Sequence, residues 1–197
     1  MKCTIRLPAE EYDKKYIEYI KNIKNKVLSG GIMKLTVIRH AESIYNEKGL
    51  FQGQVDCELS KRGIEETKQK SKEFPTDFDI CFCSPLKRTR QTAEILVPYL
   101  DIIYDKRLME RKMGEWENTP VSDEKRFLLN NNEVPSSVET LKKLDKRVIE
   151  FLDMVKKNYN KQNVLVITHG GIIHSIHRVL GLKSKDANNL EMIAIEI

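Results

Sequence analysis

The chain reads as an α/β protein, a three-layer αβα sandwich built on a mostly parallel, doubly wound sheet. Three observations predict it. Short apolar, β-branched runs alternate with longer segments of helical periodicity. Two of the runs, Lys34-Leu-Thr-Val-Ile38 and Val164-Leu-Val-Ile167, are apolar enough to be buried on both faces, as parallel strands are. Each leads directly into a histidine, through Arg39-His40 in the first case and Thr168-His169-Gly170-Gly171 in the second. Those positions fall at the carboxyl ends of strands, where open α/β sheets bind their ligands.

Residues 1–32 stand apart as an amphipathic helical leader. Tyr12, Tyr16, Tyr19, Ile20, Ile23 and Val27 recur at helical spacing, and Ser29-Gly30-Gly31 stops the pattern. The stripe suits packing on the leader's own domain or on a second copy in a homodimer. Glu10, Glu11, Asp13 and Glu18 argue against a membrane surface. A single domain, 33–197, follows.

Within it, Glu42, Ser43, Asn46, Gln52 and Gly53 line the segment leaving the first strand, and Ser60 caps a helix running to about Lys72. Asp79 to Cys83 is a second strand, with Cys81 and Cys83 on one face. Ser84-Pro85 reads as an N-cap followed by proline at the first helical position, which sets Arg88 about one turn into a helix buried through Thr92, Ala93, Leu96 and Val97. An anion there would meet free backbone donors as well as the guanidinium. Ile102 to Tyr104 is a third strand, and a loop carrying Glu110 and Trp116 follows it. A short helix ends between Phe127 and Asn132. Ser136 with Glu139 resembles a capping box for a long helix reaching about Lys157. Ile172 to Leu180 is a helix closed by Gly181, and Met192 to Ile195 an edge strand.

Composition excludes several classes. With 34 Lys and Arg against 29 Asp and Glu, the net charge of +5 is mild, and the basic residues are scattered rather than striped, so no nucleic-acid footprint is expected. No apolar run is long enough to span a membrane. Cys81 and Cys83 lack metal-site spacing and nothing reads as a secretion signal, so a reduced, cytoplasmic protein is expected.

The motifs acquire meaning together: Arg39-His40-Ala-Glu-Ser43, Asn46, Phe51-Gln52-Gly53, Asp56, Leu59-Ser60 and Gly63; Ser84-Pro-Leu-Lys-Arg88 with Thr92-Ala-Glu94; Leu108-Met-Glu110 with Gly114 and Trp116; and Thr168-His-Gly-Gly171. In this order they resemble the histidine phosphatase superfamily, which includes cofactor-dependent phosphoglycerate mutases and small broad-specificity phosphatases. The resemblance runs from Met33 to about Ile193 and implies a phosphoglycerate mutase-like fold. It implies that His40 is the nucleophile, that Arg39, Arg88 and His169 hold the phosphoryl group with Asn46 beside them, and that Glu110 is the proton donor. On its local string alone, Glu110 before Arg111-Lys112 reads as well as a surface charge. Ser43, Phe51, Gln52, Gly53, Trp116 and Gly170 are expected around the substrate, with the region from Val121 to Val138 in the wall. Two positions and one stretch depart from the pattern: Ala41 and Asn118 where glycine is usual, and Ser137-Val-Glu-Thr140 for Gly-Gly-Glu-Ser. Alanine is tolerable at 41 if that residue does not need positive φ.

The implied chemistry is a phosphoryl group carried briefly on imidazole and released to water. Guanidinium forks offset its charge with no metal or other cofactor. His174 and His177 lie one turn apart beyond His169 and make zinc a rival, but no carboxylate joins them at ligand spacing; packing or surface roles are expected for both. Mutases of the family use extra chain to enclose their intermediate, and 33–197 leaves little room for it. The expected activity is hydrolysis of a small phosphorylated metabolite. Phosphoglycerate mutase, a protein or phosphohistidine phosphatase, and an inactive binding module of the same fold are the alternatives.

Overall fold

The computed structural model describes residues 33–131, 133–183 and 186–197 together with residues 17, 18, 21, 22 and 25. The leader's apolar stripe lies outside the described residues. Five strands form one sheet: β1 (Lys34–Arg39), β2 (Ile80–Cys83), β3 (Ile102–Tyr104), β4 (Val164–Thr168) and β5 (Met192–Glu196). Their order is β3-β2-β4-β1-β5, parallel throughout except for the antiparallel edge strand β5.

The helices are α1 (Ile44–Glu47), α2 (Lys61–Ser71), α3 (Lys87–Leu96), α4 (Asp123–Asn130), α5 (Leu141–Tyr159) and α6 (Gly170–Leu180). Side chains alternate across the sheet as the strand period of two requires. Leu35, Val37, Phe82, Val164 and Val166 face the core beneath α5 and α6, while Ile38, Cys81, Cys83, Leu165 and Ile167 face the opposite core, which α3 covers through Ala93 and Leu96. Strand β4 is buried at every position, which explains its unbroken apolar run. The two cysteines of β2 share a face, and burial pushes the Cys81 thiol up to about 12.

Strands β1 and β4 lie side by side, with Arg39 paired to Thr168. From β1 the chain departs toward β2 and β3, whereas from β4 it crosses to β5 on the other side. This reversal opens a crevice at the strand tips. Three hydrogen bonds seal the tips: His40 N donates to Thr168 O at 2.9 Å, Ser84 N to Ile167 O at 3.0 Å, and Thr168 Oγ1 to Leu108 O at 2.9 Å.

The capping expectations divide. Ser60 accepts from Gly63 N at 2.9 Å and caps α2 as its sequence suggests. A side chain at Gly63 would meet Glu42 O at 2.1 Å, so the helix can lie against the β1 loop only with glycine there. The cap of α3, however, is Leu86 and not Ser84, and Pro85 precedes the helix. Ser84 stays on the strand end, where its hydroxyl meets His169 Nε2, and Arg88 sits in the first turn, nearer the amino end than the spacing predicts. Likewise α5 is capped by Thr140, which accepts from Lys143 N at 3.3 Å. The box expected at Ser136 does not form, since the helix begins only at Leu141, and Glu139 is engaged by Arg147 instead.

Candidate active site

His40 follows β1 and is almost wholly buried. Its Nδ1 lies 2.6 Å from Ala41 O. A carbonyl can only accept, so Nδ1 carries the proton and Nε2 holds the free lone pair. Burial, then the charges of Arg88 and Arg39, hold this imidazole well below its usual value, against the opposing carbonyl contact. It is therefore neutral near pH 7. Ala41 does not adopt positive φ, and its N–H donates to Thr92 Oγ1 at 3.1 Å, so the departure from glycine is accommodated.

His169 caps α6 and stacks edge-on against His40, ring centroids 5.2 Å apart. Sheet topology thus unites two histidines distant in the chain. His169 is completely buried behind His40; burial, Arg88 and His40 lower its pKa well below normal, so it too is neutral.

Two guanidinia flank the pair. Arg88 is fully buried, and its Nη1 and Nη2 donate to Val55 O and Gly53 O at 2.9 Å each, which ties the 53–55 loop to the start of α3. Arg39 Nη1 donates to Ala187 O at 2.8 Å. Burial lowers both arginines, with Glu110 opposing, yet a guanidinium starts high enough to remain charged. Three buried nitrogens of this cluster, Arg39 Nε, Arg88 Nε and His169 Nδ1, have no hydrogen-bond partner among the described residues. The segment leading to β5 straps over the tip: Asn189 Nδ2 donates to His40 O at 2.7 Å and Leu190 N to Arg39 O at 3.0 Å. Leu190 holds φ of 60°, a strained value for leucine, at this closure.

Glu110 enters from the loop after β3. Its Oε1 accepts from Arg111 N at 2.7 Å and its Oε2 from Gly171 N at 3.2 Å. A Cβ on Gly171 would lie 2.2 Å from Glu110 Oε1, whereas one on Gly170 would make only ordinary contact with Arg39. Gly171 is thus the glycine that admits the carboxylate.

Of these groups Arg39, His40, Arg88 and Glu110 border a cavity of about 680 Å³, whose lining does not include His169. Asn46, Gln52, Gly53 and Gly170 line it with Arg39, His40, Arg88 and Glu110. Asn46 Oδ1 is occupied by Ser43 N and Oγ at 3.2 and 3.1 Å, so its amide nitrogen is the end left for a ligand. Ser43 is buried in that cap and Trp116 stands behind Phe51, ring centroids 5.9 Å apart; neither reaches the cavity surface, where Phe51 is the wall. Val121, Asp123, Arg126, Phe127 and Leu129 bring the 121–138 region into that wall.

Sequence reading missed several lining groups. His174, expected in a packing or surface role, faces the cavity with Asp186, 3.1 Å from its Nε2. Arg178 lines it while paired to buried Asp145. The one-turn spacing from Gly170 to His174 and on to Arg178 was the available signal, since it continues the site-facing side of α6. Among the described residues no cluster of His, Cys, Asp or Glu could hold a metal ion.

The fold and the site together define a phosphoglycerate mutase-like αβα protein with two histidines and two arginines converging at the strand tips. Residues 35–195 match the family model described as histidine phosphatase superfamily (branch 1), and the chain belongs to that family. Phosphoserine phosphatase 1 of Hydrogenobacter thermophilus is 34% identical over 150 residues, covering 70% of this chain and 71% of that one. The crystal structure of the α-ribazole phosphatase from Shigella flexneri superposes with a TM-score of 0.70 at 25% identity, over 84% of this chain and 91% of that one. A phosphoglycerate mutase from Thermus thermophilus shares the fold with a TM-score of 0.67 at 24% identity, over 83% and 92% of the two chains. Family membership supports phosphomonoester hydrolysis as the activity class. Among the described residues no helix is long and apolar enough to cross a membrane.

Proposed function

We propose that the protein is a metal-independent phosphomonoester hydrolase acting through phospho-His40 on a small phosphorylated metabolite, with 33–197 as the catalytic unit. The observation that carries this reading is the convergence of a neutral imidazole, oriented by Ala41 O, with buried Arg39, Arg88 and His169 nitrogens that lack protein partners. A phosphoryl group supplies the acceptors those nitrogens need.

In the first step His40 Nε2 attacks phosphorus, the P–N bond forms, and the ester P–O bond breaks. Glu110 gives its proton to the departing alkoxide. Arg39 and Arg88 hold the equatorial oxygens and offset their charge, and the Asn46 amide adds a neutral donor. His169, uncharged, serves as a donor through one N–H. In the second step water attacks the phosphorus, its proton passes to Glu110, and the P–N bond breaks to return neutral His40 and inorganic phosphate.

The cavity exceeds what a phosphate alone would fill, and its outer wall mixes Phe51, Val121 and Leu129 with Asp123 and Arg126. That wall suits an organic portion with both apolar and charged groups. The phosphoserine and α-ribazole phosphatases among its similar proteins make an amino-acid phosphate and a nucleotide-like phosphate the first substrates to test.

The test is acid-quenched mass spectrometry after rapid mixing with a phosphomonoester panel in chelator. Phosphate should appear on His40 and not on His169, and His40→Ala should abolish turnover. Full activity in that variant, or activity that chelator removes and zinc restores, would overturn the mechanism. Isomerised product outpacing phosphate release would point instead to a mutase.

A further inference from the structure

The loop that carries Glu110 has no regular secondary structure between Met109 and Met113, so its backbone polar groups must find partners elsewhere. The N–H groups of 111–113 go to carboxylates and Gln54 Nε2 donates to Glu110 O at 3.0 Å, while one arginine gathers the carbonyls of 107, 109 and 110. Arg147 projects from the second turn of α5, and its Nη1 donates to Arg107 O at 2.6 Å and to Met109 O at 2.5 Å. Its Nη2 donates to Glu110 O at 3.1 Å and to Glu139 Oε2 at 2.9 Å, and its Nε donates to Glu139 Oε1 at 2.9 Å. All five N–H groups of the guanidinium are thereby used. Glu139 completes the clasp from the other side: Oε2 accepts from Lys112 N at 3.1 Å, and its own carbonyl accepts from Arg111 Nε at 2.7 Å. Both partners are largely shielded, with side chains 16% and 13% exposed.

We propose that the Arg147–Glu139 pair is a positioning device that aims the Glu110 carboxyl at the leaving oxygen. Neither residue touches the reacting atoms. Each acts through the backbone of 107–112, which it holds in the one conformation that sets Glu110 against Gly171 N. Lysine cannot replace Arg147, because an ammonium offers three diverging donors where five in a planar fork are required. The inference rests on Glu110 as the acid, and its test separates the two claims.

The experiment measures kcat/KM for alkyl and aryl phosphates of graded leaving-group pKa. It compares wild type, Glu110→Gln, Arg147→Lys, Glu139→Gln and the double variant Glu110→Gln/Arg147→Lys, each with a thermal melt. A carboxyl displaced by about 1 Å should cost Arg147→Lys on the order of 10- to 100-fold on alkyl phosphates and much less on aryl phosphates with acidic phenols. Glu110→Gln should show the same steepened dependence, and the double variant should be no worse than Glu110→Gln alone. A purely structural role would lower all substrates alike. If Glu110→Gln is steep but Arg147→Lys and Glu139→Gln give parallel lines, or if the losses multiply in the double variant, the positioning role is wrong while the acid stands. Parallel lines in Glu110→Gln would remove the acid and the positioning role together. Should Arg147→Lys fail to fold, Glu139→Gln carries the test, since it keeps an oxygen acceptor for the guanidinium.

Discussion

Two imidazoles buried without charge tie the stability of this fold to pH. His40 and His169 are held well below 6.5, by burial first and then by Arg88. In the unfolded chain each would titrate near its ordinary value of about 6.5. Below that pH the unfolded chain binds two protons that the folded chain refuses. Stability is therefore fully present above about pH 6.5 and falls with acid until the folded pKa values are reached. Each group contributes about 1.4 kcal/mol per pH unit, so the pair contributes roughly 2.7 kcal/mol per unit. That is a large part of the roughly 5–15 kcal/mol that holds a domain together. His174, lowered by burial with Asp186 opposing, pushes in the same direction. The measurement is a set of urea unfolding curves between about pH 7.5 and 5.5 for wild type, His40→Asn and His169→Asn, with each substitution expected to remove about 1.4 kcal/mol per pH unit from the slope at the acid end. A wild-type stability that does not change over this window would refute the reasoning, as would a His169→Asn protein that keeps the full slope. With neutral His40 as the proposed nucleophile, kcat/KM should hold its plateau down through pH 6.5 and decline only in stronger acid.

Three further outcomes follow from particular contacts. Gly171→Ala places a methyl group 2.2 Å from Glu110 Oε1, and since that carboxylate ends a flexible side chain, it should swing away; turnover of alkyl phosphates should fall about 100-fold with little change in the melt. Asn118 holds φ of 63°, so Asn118→Ala should cost about 1 kcal/mol in chemical denaturation and Asn118→Gly nothing or less. Asp145, fully buried, pairs with Arg178 and accepts from Ser175 Oγ at 2.6 Å; Asp145→Ala breaks this buried pair and should lower stability by about 3–5 kcal/mol in the same assay.

The glycine departures show how far one chain can be read in advance. Position 41 needed no positive φ and tolerates alanine, while position 118 does require it and is filled by asparagine, which adopts the left-handed region more readily than other side chains. Both facts concern a single residue's backbone and are written locally. Glu110, whose neighbours Arg111 and Lys112 suggest a surface charge, meets the cavity through contacts that include Gly171 on a different element. Among the four histidines, His40 and His169 announced themselves by following apolar strands, whereas His174 looked like any helical histidine until α6 was docked.

By itself the sequence determined the α/β class, the strands within a residue or two, the longer helices and their buried faces, and which two strand tips would carry the histidines. These follow from short-range causes: periodicity of two or 3.6, caps within one turn, and the rule that parallel sheets bind at their carboxyl ends. Only the tertiary structure decided that Ser84 would hold His169 rather than cap α3, that Ser43 would be spent on Asn46, and that Arg147, one basic residue among Lys142, Lys143 and Lys146, would hold the loop of Glu110. Each of those outcomes depends on which donors and acceptors are left unpaired once distant segments pack, and local pattern carries no record of that.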